Sequence, residues 1–167
     1  MSDAVLVTGA FGLVGSATVK HLAAHGRHVV ATDLDTPATR KAAAKLPSGV
    51  QVRWADLTDP AAVDALLREV SPAAVIHLAA VIPPLCYAKP QLARKVNVEA
   101  TANLVKAAAA QPKPPRLVQA SSIAVYGPRN PHRITDVLTA ETPVNPYDNY
   151  GKHKVEAEAI VRGSTLD

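Results

Sequence analysis

The chain has a single cysteine, Cys86, so no disulfide can form within it and its folding calls for no oxidising compartment. Aromatic residues are scarce at 4%. Charge of neither sign accumulates: the formal net charge is +4 and like charges never run beyond neighbouring pairs, which is too diffuse for a nucleic-acid-binding stripe. No apolar run approaches the ~18 residues that a membrane span needs. Met1-Ser2-Asp3 lacks the basic segment that opens a secretory signal. No grouping of His and Cys points to a metal site. The expectation is a soluble, cytoplasmic protein that acts on a small molecule, with no metal, nucleic acid or membrane partner.

What is present points to a packed globular domain. The chain has 167 residues, of which 48% are hydrophobic and 19% charged, a balance suited to one domain with a sizeable core. Abundant alanine predicts helices that pack closely on a sheet.

The most informative stretch is VLVTGAFGLVG, from Val5 to Gly15. A short apolar run (Ala4 to Val7) ends at Thr8, glycines follow at Gly9, Gly12 and Gly15, and an apolar-periodic segment runs from Leu13 to Ala24. This reads as a buried strand, a tight turn and the start of a helix. Gly9 permits the turn, Gly12 lets a bulky anion approach bare backbone, and Gly15 lets helix and strand pack closely. The exposed N–H groups and the helix dipole favour a pyrophosphate there. The glycine spacing departs from G-x-G-x-x-G, with Ala10 and Phe11 in the first gap.

Helix and strand signals then alternate. Gly26 caps the first helix, and His28 to Thr32 is a second β-branched run that closes on Asp33. A carboxylate there can accept both ribose hydroxyls of an adenosine and repels a 2′-phosphate, which favours NAD over NADP. A helix is predicted from Thr36-Pro37 to Lys45, and a third strand from Val50 to Trp54. Asp56 follows at that strand's carboxyl end, placed either to bond the adenine amine or to cap the loop. Thr58 or Asp59 caps the next helix, Ala61 to Val70, with Pro60 at its first position. Ala73 to Leu78 is a fourth strand, and the small Ala79-Ala80 lets a cofactor lie against backbone. Val81 to Pro90 reads as an irregular loop and a candidate lid or substrate wall, in which Cys86 carries no catalytic role. A long helix is expected from Leu92 to Ala110, carrying Asn97, and a fifth strand from Arg116 to Ala120. Alternation of this kind predicts a doubly wound parallel sheet with helices on both faces, a Rossmann-type three-layer α/β/α domain.

The fifth strand ends in Ser121-Ser122, whose hydroxyls would stand in the cofactor crevice. A proline-containing segment (Pro128, Pro131, Pro143, Pro146) leads to a last helix opened by Tyr150-Gly151-Lys152-His153-Lys154. Tyr150 and Lys154 lie one turn apart on one helical face. The ammonium is expected to lower the phenol's pKa, so that Tyr150 moves a carbinol proton while Ser122 holds the oxygen and a cofactor takes the hydride.

Taken together these motifs resemble the extended short-chain dehydrogenase/reductases, the NAD-dependent epimerase/dehydratase group. The resemblance spans essentially the whole chain: TGAFGLVG (Thr8–Gly15), Asp33, Asp56-Leu57, HLAA (His77–Ala80), VNVEAT (Val96–Thr101), SSIAVYG (Ser121–Gly127) and YGKHK (Tyr150–Lys154). It implies a catalytic set of Ser122, Tyr150 and Lys154. The cofactor contacts it implies are Gly9, Phe11, Gly12, Leu13, Val14, Gly15, Asp33, Asp56, Leu57, Leu78, Ala79, Ala80 and Asn97, with Tyr150 and Lys154 serving both roles. His153 replaces the family's usual serine, which should affect local packing only. Ile123 and Ala124 occupy the positions where sugar dehydratases keep an Asp-Glu pair, so elimination chemistry is not expected.

Family members are usually longer, with a further strand and a helical substrate domain. The resemblance therefore presents residues 1–167 as the NAD-binding part of a longer protein. It also implies a homodimer built on the helices near Leu92 and Tyr150. Three functions stay open: an oxidoreductase or epimerase acting on a secondary alcohol such as a nucleotide sugar, a 3β-hydroxysteroid dehydrogenase-like enzyme, and an NAD-sensing binding protein without turnover. The apolar run Val81 to Leu85 leans towards a less polar substrate, or simply towards packing.

Overall fold

The computed structural model describes residues 3–130, 132 and 136–167. Val5–Thr8 forms strand β1, and all four of its residues are buried. A strand covered on both faces must be apolar at every position, which is why VLV reads as a continuous run. The pleat sends alternate side chains to opposite faces. Leu6 packs with Val63, Leu67 and Leu104 on one face, while Val5 and Val7 pack with Val19 and Ala31 on the other. Leu6 and Leu67 are fully buried. Truncating either to alanine would cost on the order of 2–5 kcal/mol.

The other strands are β2 (Val29–Asp33), β3 (Gln51–Trp54), β4 (Ala74–His77) and β5 (Arg116–Gln119). They form one five-stranded sheet in the order β3-β2-β1-β4-β5. Every pairing is parallel, with Thr8 opposite Thr32 and His77 in register. The order reverses at β1, so the turn after β1 lies at the switch point where ligands bind in open α/β sheets.

The helices are α1 (Leu13–Ala24), α2 (Pro37–Ala43), α3 (Pro60–Val70), the short turns α4 (Leu85–Ala88) and α5 (Pro90–Arg94), α6 (Ala100–Ala109) and α7 (Asn149–Arg162). Asp59 rather than Thr58 caps α3, and Pro60 follows at its first position. A capping box of Thr36 and Thr39 starts α2. This helix stops at Ala43, short of the expected Lys45, with Ala44 as its cap.

Two expectations are corrected around the fourth strand. The Val81–Pro90 stretch is not wholly irregular, because Leu85–Ala88 closes one helical turn after a cis Pro83–Pro84 bond. The single helix expected over Leu92–Ala110 is three segments, with a π-helical turn at Lys95–Glu99 between α5 and α6. The π turn centres on Asn97. Its side chain accepts from Val81 N at 2.7 Å and donates to Val81 O at 2.9 Å. A π-bulge re-aims a helical residue, here towards the backbone leaving β4.

Candidate functional site

The turn after β1 is shaped by backbone contact. Gly9 has φ of +62°, and a Cβ there would lie 2.7 Å from Ala79 N. Gly15 needs its hydrogen for a different reason, since a Cβ would sit 2.1 Å from Gly9 O. These two glycines press the turn against both β4 and its own helix. Gly12 is the N-cap of α1 and brings no side-chain hydrogen bond to it, and no acidic residue stands in the first turn. The helix therefore starts with uncovered N–H donors and its positive dipole end, a setting that favours an anion.

Beside this turn opens a cavity of about 380 Å³. Gly9 and Gly12 line it from β1, Asp33 and Leu34 from β2, and Ala55 to Thr58 from the end of β3. Leu78 to Val81 line it after β4, and Leu85, Leu92, Val96 and Ala100 close the far wall. Thus Gly9, Gly12, Asp33, Asp56, Leu57, Leu78, Ala79 and Ala80 converge as the sequence predicts. Leu92, Val96 and Ala100 escaped the sequence reading. Their one-turn spacing was visible, but only the tertiary fold shows which face of that helix meets the turn.

The remaining predicted contacts stand outside this cavity. Leu13 and Val14 are 90% and 63% exposed at the start of α1. Phe11 packs on Trp54 with ring centroids 5.4 Å apart, and its amide donates to Asp33 Oδ2. Leu34 N donates to the other Asp33 oxygen, so two backbone donors aim this carboxylate. Asp56 lines the cavity, and its Oδ1 caps the loop by accepting from Thr58 N and Thr58 Oγ1 at 2.8 Å.

A buried polar chain supports the floor. Thr8 Oγ1 accepts from Leu78 N and Ala79 N and lies 2.6 Å from His77 Nδ1. Its own hydrogen must then go to Nδ1, which puts the imidazole proton on Nε2. That proton is donated to Thr101 Oγ1 at 3.1 Å, and Thr101 in turn donates to Asn97 O. Burial, helped by the nearby Lys154 charge, pushes His77 down to about 3, so the ring is neutral as this chain requires.

A second cluster lies where β5 ends. Ser122 caps the 3₁₀ turn Ile123–Tyr126 by accepting from Ala124 N, and its hydroxyl lies near enough to Tyr150 to favour the charged form of that phenol. Asp148 caps α7, accepting from Gly151 N at 2.7 Å. Lys154 is buried and donates its ammonium to Ala120 O at 2.7 Å, with Nζ 5.7 Å from the centre of the Tyr150 ring. Ser122, Tyr150 and Lys154 are therefore brought together.

The expected lowering of the Tyr150 phenol is not met. Burial raises its pKa, the Cys86 thiol and the Asp148 carboxylate push the same way, and only the Ser122 hydroxyl opposes them. Lys154 is itself held down by burial, against the pull of Glu158. His153 is buried beside the Arg94–Glu156 ion pair, in keeping with a packing role, and burial lowers its pKa. Pro131, within the segment leading to α7, lies outside the described residues, as do Arg133 to Thr135.

A parallel sheet with a glycine turn at its switch point, facing a carboxylate on the next strand, defines a Rossmann-type domain. More narrowly, the chain belongs to the NAD dependent epimerase/dehydratase family, whose model matches residues 5–165. It is 33% identical over 157 residues to methionine adenosyltransferase 2 subunit beta of Xenopus tropicalis, covering 93% of this chain and 42% of that protein. It is 34% identical to UDP-glucose 4-epimerase 4 of Oryza sativa subsp. japonica, covering 96% of this chain and 44% of that protein. The crystal structure of UDP-glucose 4-epimerase from Thermus thermophilus in complex with NAD superimposes with a TM-score of 0.83 at 30% identity, over 95% of this chain and 50% of that one. The chain thus spans less than half the length of these two curated relatives. Among the described residues no helix is long and apolar enough to cross a membrane.

Proposed function

We propose that this chain is the NAD-binding domain of an oxidoreductase or epimerase that acts on a secondary alcohol, a nucleotide sugar being the leading class. The observation that carries the reading is the union of the glycine-turn cavity with the Ser122–Tyr150–Lys154 cluster on the carboxyl side of one sheet. The cavity fits the cofactor by its own chemistry: uncovered N–H groups at α1 suit a pyrophosphate, and the backbone-aimed Asp33 suits ribose hydroxyls. Asp56 and Leu57 would flank an adenine, Ala79, Ala80 and Asn97 would support the stretch towards a nicotinamide, and the exposed Leu13 and Val14 would cover the phosphates.

The bound dinucleotide supplies a hydride acceptor, and later a donor. Ser122 holds the substrate oxygen by a hydrogen bond, and Tyr150 takes the hydroxyl proton onto its own oxygen. Lys154, anchored on Ala120 O, holds its ammonium over the face of the Tyr150 ring, where it would meet the ribose at the nicotinamide end. Ile123 and Ala124 offer no acid or base, so the proposal excludes dehydration. The protein is further proposed to be cytoplasmic and to pair as a homodimer through the helices near Leu92 and Tyr150.

The test mixes full-length protein and NAD with nucleotide sugars and with hydroxysteroids, following reduced cofactor and epimeric product. Turnover that Tyr150→Phe abolishes supports the mechanism, and turnover that Tyr150→Phe leaves unchanged overturns it. A second reading draws on the relative named as a subunit of methionine adenosyltransferase: an NAD-binding subunit of another enzyme. Tight NAD binding in calorimetry, with no reduced cofactor across the whole panel, would favour it.

A further inference from the structure

Tyr87 and Asp148 lie far apart in sequence, yet the Tyr87 hydroxyl donates to Asp148 Oδ2 at 2.5 Å. The other carboxylate oxygen accepts from Gly151 N at 2.7 Å, in the first turn of α7. One carboxylate therefore ties together two elements. The first is α4, whose Leu85 lines the cofactor cavity and whose amides Cys86 N, Tyr87 N and Ala88 N bond back to Ile82 O and Pro84 O. The second is the turn that carries Tyr150. We propose that Asp148 is a positioning residue, latching the cavity wall at Tyr87 to the start of the helix that presents Tyr150. The proposal rests on the reading of Tyr150 as the proton-transfer group.

The latch is made of a charge-assisted bond, stronger than a neutral one. Hydrogen bonds from Gly151 N and Tyr87 hold the Asp148 carboxyl below the usual carboxylate range, so the latch stays ionised through neutral pH. The same negative charge bears on Tyr150. The groups facing that phenol are the Cys86 thiol and Tyr87 from α4, Ser122 from the 3₁₀ turn, and Asp148 and Lys154 on α7. Among these Asp148 supplies the negative charge, and it disfavours the phenolate. An asparagine there would keep its one carboxamide oxygen on Gly151 N, so the cap stays in place, while the charge and the oxygen that accepts from Tyr87 are both lost.

The test uses Asp148→Asn, Tyr87→Phe and the double variant in the full-length protein. Hydrogen exchange at the Cys86–Ala88 amides should quicken about fivefold in each single variant, the scale of one hydrogen bond. The double variant should add nothing, since both changes cut one link. Tyrosine-labelled NMR, assigned with Tyr150→Phe, should show the Tyr150 phenol titrating at lower pH in Asp148→Asn. Unchanged exchange in either single variant, multiplied effects in the double, or an unmoved Tyr150 titration would overturn the proposal. None of these readouts needs NAD or substrate, so a protein that fails to bind NAD would sink the proposed function while the latch is still judged by them.

Discussion

The Lys154 ammonium donates to the carbonyl of Ala120, at the end of β5, and sits over the face of the Tyr150 ring. The cation is thus fixed by the sheet and not by the phenol oxygen. If Tyr150 is the acid/base, Tyr150→Phe should lower alcohol oxidation by about 10²–10⁴-fold, the usual worth of a positioned proton-transfer group. Lys154→Met should also lower it and strand the Ala120 carbonyl. Initial rates of reduced-cofactor formation check both.

The three glycines of the first turn should separate fold from ligand. Gly15→Ala forces a Cβ to 2.1 Å from Gly9 O, a backbone atom that cannot swing away. Its thermal midpoint should fall sharply, by several kcal/mol of stability or outright loss of the fold. At Gly12 the nearest atom to an added Cβ is Gly9 O at 3.4 Å, ordinary contact. Gly12→Ala should therefore keep its thermal midpoint and weaken NAD binding, as calorimetry would read.

Asp33 should govern the choice between the two nicotinamide cofactors. Asp33→Ser removes the carboxylate that Phe11 N and Leu34 N hold in place. Affinity for NAD should drop at least about tenfold, as the charge-assisted hydrogen bonds to the ribose hydroxyls are lost, while the barrier to a 2′-phosphate relaxes. Titration with NAD and NADP in parallel measures the change, and an unaltered ratio would remove Asp33 from the site.

Stability should fall on acidification because of His77. Its folded value is depressed to about 3 by burial, whereas the unfolded ring titrates near its ordinary value of 6.5. The unfolded state alone takes up the proton between those limits. The contribution is therefore complete above about 6.5 and is lost at about 1.4 kcal/mol per pH unit as pH falls towards about 3. Urea midpoints measured from pH 7 to 4 should drop less steeply in His77→Gln than in the parent protein.

Much of this architecture was legible because its signals are local. An apolar run that ends in glycines and resumes with helical period can only be a buried strand, a turn and a helix, and repeating that alternation forces parallel pairing. Asp33, Ser122, Tyr150 and Lys154 were visible for the same reason, since each stands at a strand end or on one helical turn. Local pattern alone was therefore enough for the fold class, the position of the turn and the family. Features that depend on distant partners emerge only in the folded chain: the π turn that aims Asn97 at Val81, the His77 tautomer set by Thr8 and Thr101, and the Tyr87–Asp148 bond. Folding also reverses the expected direction at Tyr150. Helical spacing placed Lys154 beside the ring, but burial and the approach of Cys86 and Asp148 are set by chain segments that meet only in the folded state.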